Sequence, residues 1–451
     1  MRHLPTPSDC VPATEANPRR DALKHIAAAG VGAMALSAPS VSQAVLPFPW
    51  SAPAQGSAPV LNVRRPTLAM CLLDFTWLTR RDGPQPEYRD FDVLLDSVVL
   101  RGYNCLRIDA FPHFIAADDK GRRQDEFVIP ADTNGAPWGV KADVTVNPRR
   151  DLPIFLSKCA ARGIRVTLST WMYKDKTERA RRVQSPAQLS RIWAETLDFI
   201  GQHGLMDIIE FVDLANEFPS VQFMPAIVDH INQKLFNKIN LSHGFLLPYD
   251  QRQASAISAY IYAAINGLKK QFPKLPLCVS LAGDGTTNTF KFHDLSPMDC
   301  IETHIWLSQN QAFGVPSGLA LLLLQSTGKP QSSTYNNMLE KWAQSMYYRR
   351  KTELLKWLGC AMDSWVTLGN KLNVPVYTSE GWAVIAYPNL PDKDPTGANW
   401  AWIPDADQHA VVMAKARGWS GIVTNYVQPQ FPPYKDIAWH QQITGIIKSA
   451  R

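Results

Sequence analysis

The residues best placed to do chemistry in this chain are two glutamates and an asparagine. Residues 208–219 read Ile-Ile-Glu-Phe-Val-Asp-Leu-Ala-Asn-Glu-Phe-Pro. Their apolar content predicts a strand over 208–215 that is covered on both faces, as strands in parallel sheets are. That strand ends abruptly in Asn216-Glu217. A second apolar run, 374–379, leads into Glu380-Gly381-Trp382. One glutamate after a strand is most simply a solvated loop acid. Two, at the ends of two strands of one barrel, would both stand at its C-terminal mouth. Such a pair can divide the cleavage of an acetal between them, one as acid/base and the other as nucleophile.

Other side chains could support that pair. Arg107 lies in a predicted strand over 104–110 and His304 in one over 299–305. A guanidinium beside a carboxylate keeps it ionised, whereas burial and a neighbouring negative charge keep a carboxylic acid protonated. The plainer alternatives are a strand-end ion pair of Arg107 with Asp109 or Asp74, and a satisfied core histidine at 304. Trp77, Trp171, Trp306 and Trp382 all fall at predicted strand ends. A broad apolar ring face suits stacking against a sugar, and it also suits plugging a barrel top. Glu302 and Asp213 fall mid-strand, where satisfaction inside the barrel is the expectation.

Positioning these residues requires a repeating frame, and the chain supplies one from Thr67 onward. Strands are expected over 67–75, 104–110, 164–169, 208–215, 277–281, 299–305, 374–379 and 421–426. Helices are expected over 90–101, 152–162, 186–203, 254–271, 338–368, 405–416 and 440–451. The alternation predicts an α/β fold, a (β/α)₈ TIM barrel with long βα loops, of which 111–150 is one. An open doubly wound sheet would want a Gly-rich phosphate turn after an early strand, and the sequence has none.

Composition bounds the rest. With 451 residues, 45% of them hydrophobic, one barrel with insertions fits the length. The net charge of +6 is spread without a basic–aromatic pattern, so no nucleic-acid partner is expected. The cysteines at 10, 71, 105, 159, 278, 300 and 360 match neither a metal motif nor a small disulfide framework, and buried free thiols are expected. A metal-dependent barrel hydrolase would want His-x-His at a strand end, which the chain lacks, so no metal or cofactor is expected. Residues 1–44 read as an export signal: Pro18-Arg19-Arg20-Asp21-Ala22-Leu23-Lys24 has a twin-arginine pattern, the apolar run 26–36 is too short for a comfortable membrane span, and Ser42-Gln43-Ala44 offers a cleavage site. A disordered tail or a retained anchor is the alternative. The expected partners are the export machinery and a carbohydrate, with no stable membrane insertion and a periplasmic or secreted destination. Residues 45–66 read as a Pro/Ala-rich linker, and 67–451 as the catalytic domain.

With these residues in view, the chain resembles clan A glycoside hydrolases, especially the family 5 cellulase-like group. Asn216-Glu217, Glu380, Arg107 and His304 carry the resemblance, together with Asp109-Ala110-Phe111-Pro112-His113 and the run Asp213 to Pro219. It covers roughly residues 67–430. The resemblance implies a secreted retaining β-glycoside hydrolase. Glu217 would be the acid/base, Glu380 the nucleophile and Asn216 the partner of the sugar 2-hydroxyl. Arg107 would hold Glu380 ionised and His304 would contact substrate or the acid/base. The chain departs from the family at Trp306, where a tyrosine is usual, at Ser169-Thr170-Trp171, where a histidine is frequent, and at Asn425-Tyr426, where a tryptophan is usual. A catalytically weak carbohydrate-binding protein on the same barrel is the competing expectation.

Overall fold

The computed structural model describes residues 58–63, 65–84, 86–131, 140–239, 248–314, 333–383, 401–424 and 435–450, with only the backbone described over 333–341. The expected export signal, most of the expected linker and Asn425-Tyr426 lie outside the described residues.

Eight strand positions are formed by β1 (Leu68–Asp74), β2 (Cys105–Asp109), β3 (Arg165–Ser169), β4 (Ile209–Asp213), β5 (in two pieces, Leu277–Cys278 and Ser280–Leu281), β6 (Ile301–Thr303), β7 (Val376–Thr378) and β8 (Gly421–Val423). Every neighbour is parallel, and the order follows the chain from β1 to β8. The two pieces of β5 close the sheet: Leu277 pairs with Val212 of β4, and Ser280 pairs with Glu302 of β6. Leu68 of β1 pairs with Gly421 of β8, completing a (β/α)₈ TIM barrel. Gly421 is required by that closure. A Cβ there would meet Met70 Sδ at 2.4 Å and Tyr377 Cδ1 at 2.5 Å.

The helices surround the strands: α1 (Phe91–Leu100), α2 (Pro148–Ala161), α3 (Pro186–Gln202), α4 (Gln251–Lys269), α5 (Ser333–Leu372), α6 (Trp402–Ala416) and α7 (Ile437–Lys448). Between β5 and β6 a 3₁₀ turn, Thr287–Phe290, stands in place of a helix. Side-chain caps set the starts of α1, α2, α3, α4 and α7. Asp90 accepts from the backbone of Asp92 and Val93 in α1, and reciprocal capping boxes, Ser185 with Gln188 and Asp250 with Gln253, open α3 and α4. Helix α2 begins four residues before the expected 152, because Asn147 caps it and Pro148 takes the first helical position.

Two features shape the barrel mouth. Residues 127–129 and 144–146 form an antiparallel hairpin within the long loop after β2. Past β6 and β7 the chain pairs again, Ile305–Trp306 against Gly381–Trp382, in a short second ladder. Expected strand six therefore divides at His304, between Thr303 and Ile305. Among the described residues the cysteines are free, and all but the half-buried Cys360 are buried. Among the described residues no helix is long and apolar enough to cross a membrane.

Candidate active site

The site is built around one buried cation. Arg107 lies in the middle of β2 with no solvent exposure, facing the inside of the barrel. A guanidinium in that place must be paired. Its Nη1 donates to Glu380 Oε1 at 2.6 Å, and its Nη2 donates to Asp213 Oδ2 at 2.6 Å and to Asn216 Oδ1 at 2.7 Å. Burial works against the charge, but Glu380 and then Asp213 raise the guanidinium above its ordinary value. The indole of Trp171 lies under the group, with Cζ 4.8 Å from the ring centre. Asp109 is engaged elsewhere, accepting from the backbone of Phe111 at 2.7 Å and of Trp171 at 3.0 Å. The strand-end pairing of Arg107 with Asp109 is therefore replaced by pairs reaching across the barrel.

The two expected glutamates meet at the mouth. Glu217 follows β4 in the left-handed region, at φ 51°, a costly conformation for a non-glycine residue and one that collects at working sites. Its N–H donates to Ser280 Oγ at 2.8 Å, so β5 holds the turn that aims it. Glu380 follows β7. One oxygen of Glu217, one of Glu380 and one ring nitrogen of His304 lie within 4.8 Å of one another. His304 Nδ1 stands 3.0 Å from Glu217 Oε1 and 3.7 Å from Glu380 Oε2. The plainer alternative for His304, a core histidine, is half right: it is fully buried, and both of its nitrogens face the site. Three converging donors could hold a cation elsewhere. Here the Arg107 guanidinium already places positive charge against Glu380, so the group is not assigned as a metal centre.

The charges in this cluster are interdependent. Burial raises the Glu380 carboxyl, while His304 and Arg107 pull it down and Glu217 pushes it up; the result is about 7. Burial lowers the His304 imidazole, Glu380 raises it, Arg107 opposes, and Glu217 and Glu302 add to the rise, which carries it to about 10. Geometry at the other nitrogen pulls the opposite way. Arg107 Nη1 is 2.8 Å from Nε2, a contact that favours an unprotonated nitrogen. Nδ1 carries a proton toward Glu217 in either case.

Asn216 is held by Arg107 through its Oδ1, which leaves its Nδ2 buried without a partner. A buried donor in that condition suits a ligand acceptor. Asp213 was expected to be satisfied within the barrel, and it is: Oδ2 also accepts from Ser169 Oγ at 2.6 Å, and Oδ1 from the Ser280 backbone at 2.7 Å.

The tryptophans depart from expectation. Trp77 is fully buried, its Nε1 donates to the Asp109 carbonyl at 2.8 Å, and its ring centre lies 4.8 Å from that of Phe155. The chain after β1 turns at once into a short helix, Thr76–Thr79, which carries the ring into the packing near α1 and α2. Trp382 is also fully buried; its Nε1 donates to the Val423 carbonyl at 3.1 Å, and its ring packs on Trp419. The ladder beyond Glu380 turns it into the barrel wall. Trp77 and Trp382 thus lie in packing, with no ring face open at the barrel mouth. Trp171 and Trp306 are 5% and 9% exposed, and the ring of Trp171 already carries Arg107.

Sequence reading gave no site role to Ser169, Ser280, Ser379 or Glu302. A charged residue inside an apolar strand, such as Arg107 in Cys-Leu-Arg-Ile-Asp, is the signal that inward polar partners must exist on neighbouring strands.

A closed (β/α)₈ barrel with two glutamates at the ends of β4 and β7 defines a barrel of the glycoside hydrolase type, fitted for a glycosidase or sugar-binding role. Comparisons agree. A proposed glycoside hydrolase from Parabacteroides distasonis, known from a crystal structure, is 28% identical, with 85% of this chain and 94% of that one covered and a TM-score of 0.71. The endo-β-1,4-mannanase of Thermotoga petrophila is 11% identical over 86% of this chain and 78% of that one, with a TM-score of 0.47. The family 5 enzyme PbGH5A of Prevotella bryantii is 11% identical over 84% and 96%, with a TM-score of 0.46. No curated protein matches the chain. The chain belongs to the sugar-binding cellulase-like family, whose pattern matches residues 70–448.

Proposed function

We propose that the protein is a retaining β-glycoside hydrolase acting on a β-linked oligo- or polysaccharide. One observation carries this reading: oxygens of Glu217 and Glu380 approach within 4.8 Å with His304 beside both. Retaining pairs stand about 5–5.5 Å apart, and inverting pairs about 6.5–9.5 Å, to admit a water. In the first step a Glu380 oxygen forms a bond to the anomeric carbon. The glycosidic C–O bond breaks, and the Glu217 proton passes to the leaving oxygen. In the second, Glu217 takes a proton from water, whose oxygen displaces Glu380, and configuration is retained. Asn216 Nδ2 donates to the sugar, and Arg107 supports the charge of Glu380. The Arg19-Arg20 pattern before an apolar run supports a destination outside the cytoplasm for this activity.

The test is the anomer formed first. Incubation of the protein with a panel of β-linked oligosaccharides, followed by proton NMR, should give the β-anomer before mutarotation. First release of the α-anomer would rule out this mechanism. Tight sugar binding without turnover would leave the carbohydrate-binding reading in its place.

A further inference from the structure

Arg107 is held through its two Nη atoms. Nη1 meets Glu380 and His304; Nη2 meets Asp213, Asn216, Ser169 at 3.1 Å and Ser280 at 3.3 Å. Its Nε is buried with no hydrogen-bond partner. What lies under the group is the indole of Trp171, with Cζ 4.8 Å from the ring centre. That ring is itself fixed. The Trp171 N–H donates to Asp109 Oδ2 at 3.0 Å, and Phe75 packs edge-on with ring centres 6.1 Å apart. Met172, the next residue, stands in the left-handed region at φ 48°, and its N–H donates to Thr170 Oγ1 at 3.1 Å. The Thr170 carbonyl accepts from the Asn216 N–H at 2.9 Å, so the turn that braces Trp171 also braces the residue before Glu217.

We propose that Trp171 is a positioning residue for the reaction, whose ring face seats the Arg107 guanidinium and so keeps Nη1 aimed at Glu380. This inference rests on the glycosidase reading of the site. A guanidinium is planar and its N–H groups point outward within that plane. Its hydrogen bonds therefore resist sliding within the plane more than tilting out of it. An aromatic face under the group supplies the missing restraint, and the negative face of an indole attracts a cation most where water is excluded. Without the seat the guanidinium can tilt, which lengthens the 2.6 Å bond to Glu380 Oε1 and the 2.7 Å bond to Asn216 Oδ1. Trp171 is only 5% exposed with Arg107 on its ring, so it has no open face to offer a sugar. Its effect falls on the bond-forming step rather than on substrate binding.

The full chain labelled with ¹⁵N-arginine reports the seat directly. In wild type the Arg107 Nε–H signal, assigned by through-bond correlation, should be shielded by the indole and stand upfield of the ordinary arginine range. Trp171→Leu, which fills the space without a π face, should return it to that range. On an aryl β-glycoside, W171L should lower kcat by about 10- to 30-fold and leave KM within about twofold. Trp171→Phe, which restores an aromatic face, should recover most of the loss. An unshielded Arg107 signal in wild type would overturn the proposal, whether or not W171L folds. So would W171L with a raised KM and an intact kcat, the mark of a sugar platform, or with both constants unchanged. The signal needs no turnover, so failure of the glycosidase reading would be seen separately, as absence of hydrolysis by wild type.

Discussion

Glu380 carries the heaviest load in the site, because the proposed mechanism needs it both buried and charged. Burial raises its carboxyl to about 7 against the pull of His304 and Arg107. On the proposed mechanism the nucleophile is lost as pH falls through that value, and kcat/KM should rise between pH 6 and 8 to a plateau, with the limb belonging to the Glu217–His304–Glu380 group as a whole. An acid limb absent down to pH 5 would contradict this. Glu380→Gln should lower kcat/KM by about 10⁴-fold or more without altering the fold. Trp382 behaves differently. Its buried ring and its bond to Val423 make it a stability residue. Trp382→Ala should cost about 3–5 kcal/mol, seen in urea unfolding, whereas an unchanged midpoint with weakened sugar binding would restore it as a platform.

At the level of elements, strand ends do the positioning. Ser280 ties the two halves of the site: its hydroxyl accepts from the Glu217 backbone at 2.8 Å and lies 3.3 Å from Arg107 Nη2. Ser280→Ala should leave the barrel folded and lower kcat by about 10- to 100-fold through a misdirected Glu217, measured with an aryl glycoside. Much of this frame was legible in the sequence. The strand order, the closing helix and the placement of Asn216, Glu217, Arg107, His304 and Glu380 follow from apolar runs and what ends them. The tryptophans were not legible, because whether a ring faces the mouth depends on the path of the chain after the strand. At Trp77 that path is a helical turn, and at Trp382 a second ladder. The polar partners of Arg107 were equally hidden: Asp213 and Ser280 come from strands whose register only the closed barrel fixes.

For the molecule as a whole, acid is the expected weakness. His113 and His293 are both lowered by burial, to about 4 from 6.5. Between those values the unfolded chain binds more protons, so the stability from their neutral forms, complete above pH 6.5, is lost as pH falls through 4. His293→Phe, among Phe290 and Tyr249, should flatten part of that loss in thermal melts; an identical pH dependence would dismiss the role. Export is a second proposed property, read from the Arg19-Arg20 pattern before an apolar run. Arg19→Lys with Arg20→Lys should leave the protein unprocessed in the cytoplasm, and full processing would dismiss the twin-arginine assignment. The central claim is that Glu380 forms a bond to the sugar. Activated 2-deoxy-2-fluoro-β-glycosides of several configurations, with a dinitrophenyl leaving group, slow the second step more than the first, so the intermediate accumulates. Peptide mass spectrometry should then find one fluoro-sugar per chain, on Glu380. Hydrolysis of the matching β-glycoside with no adduct, or an adduct on any other residue, would contradict the account.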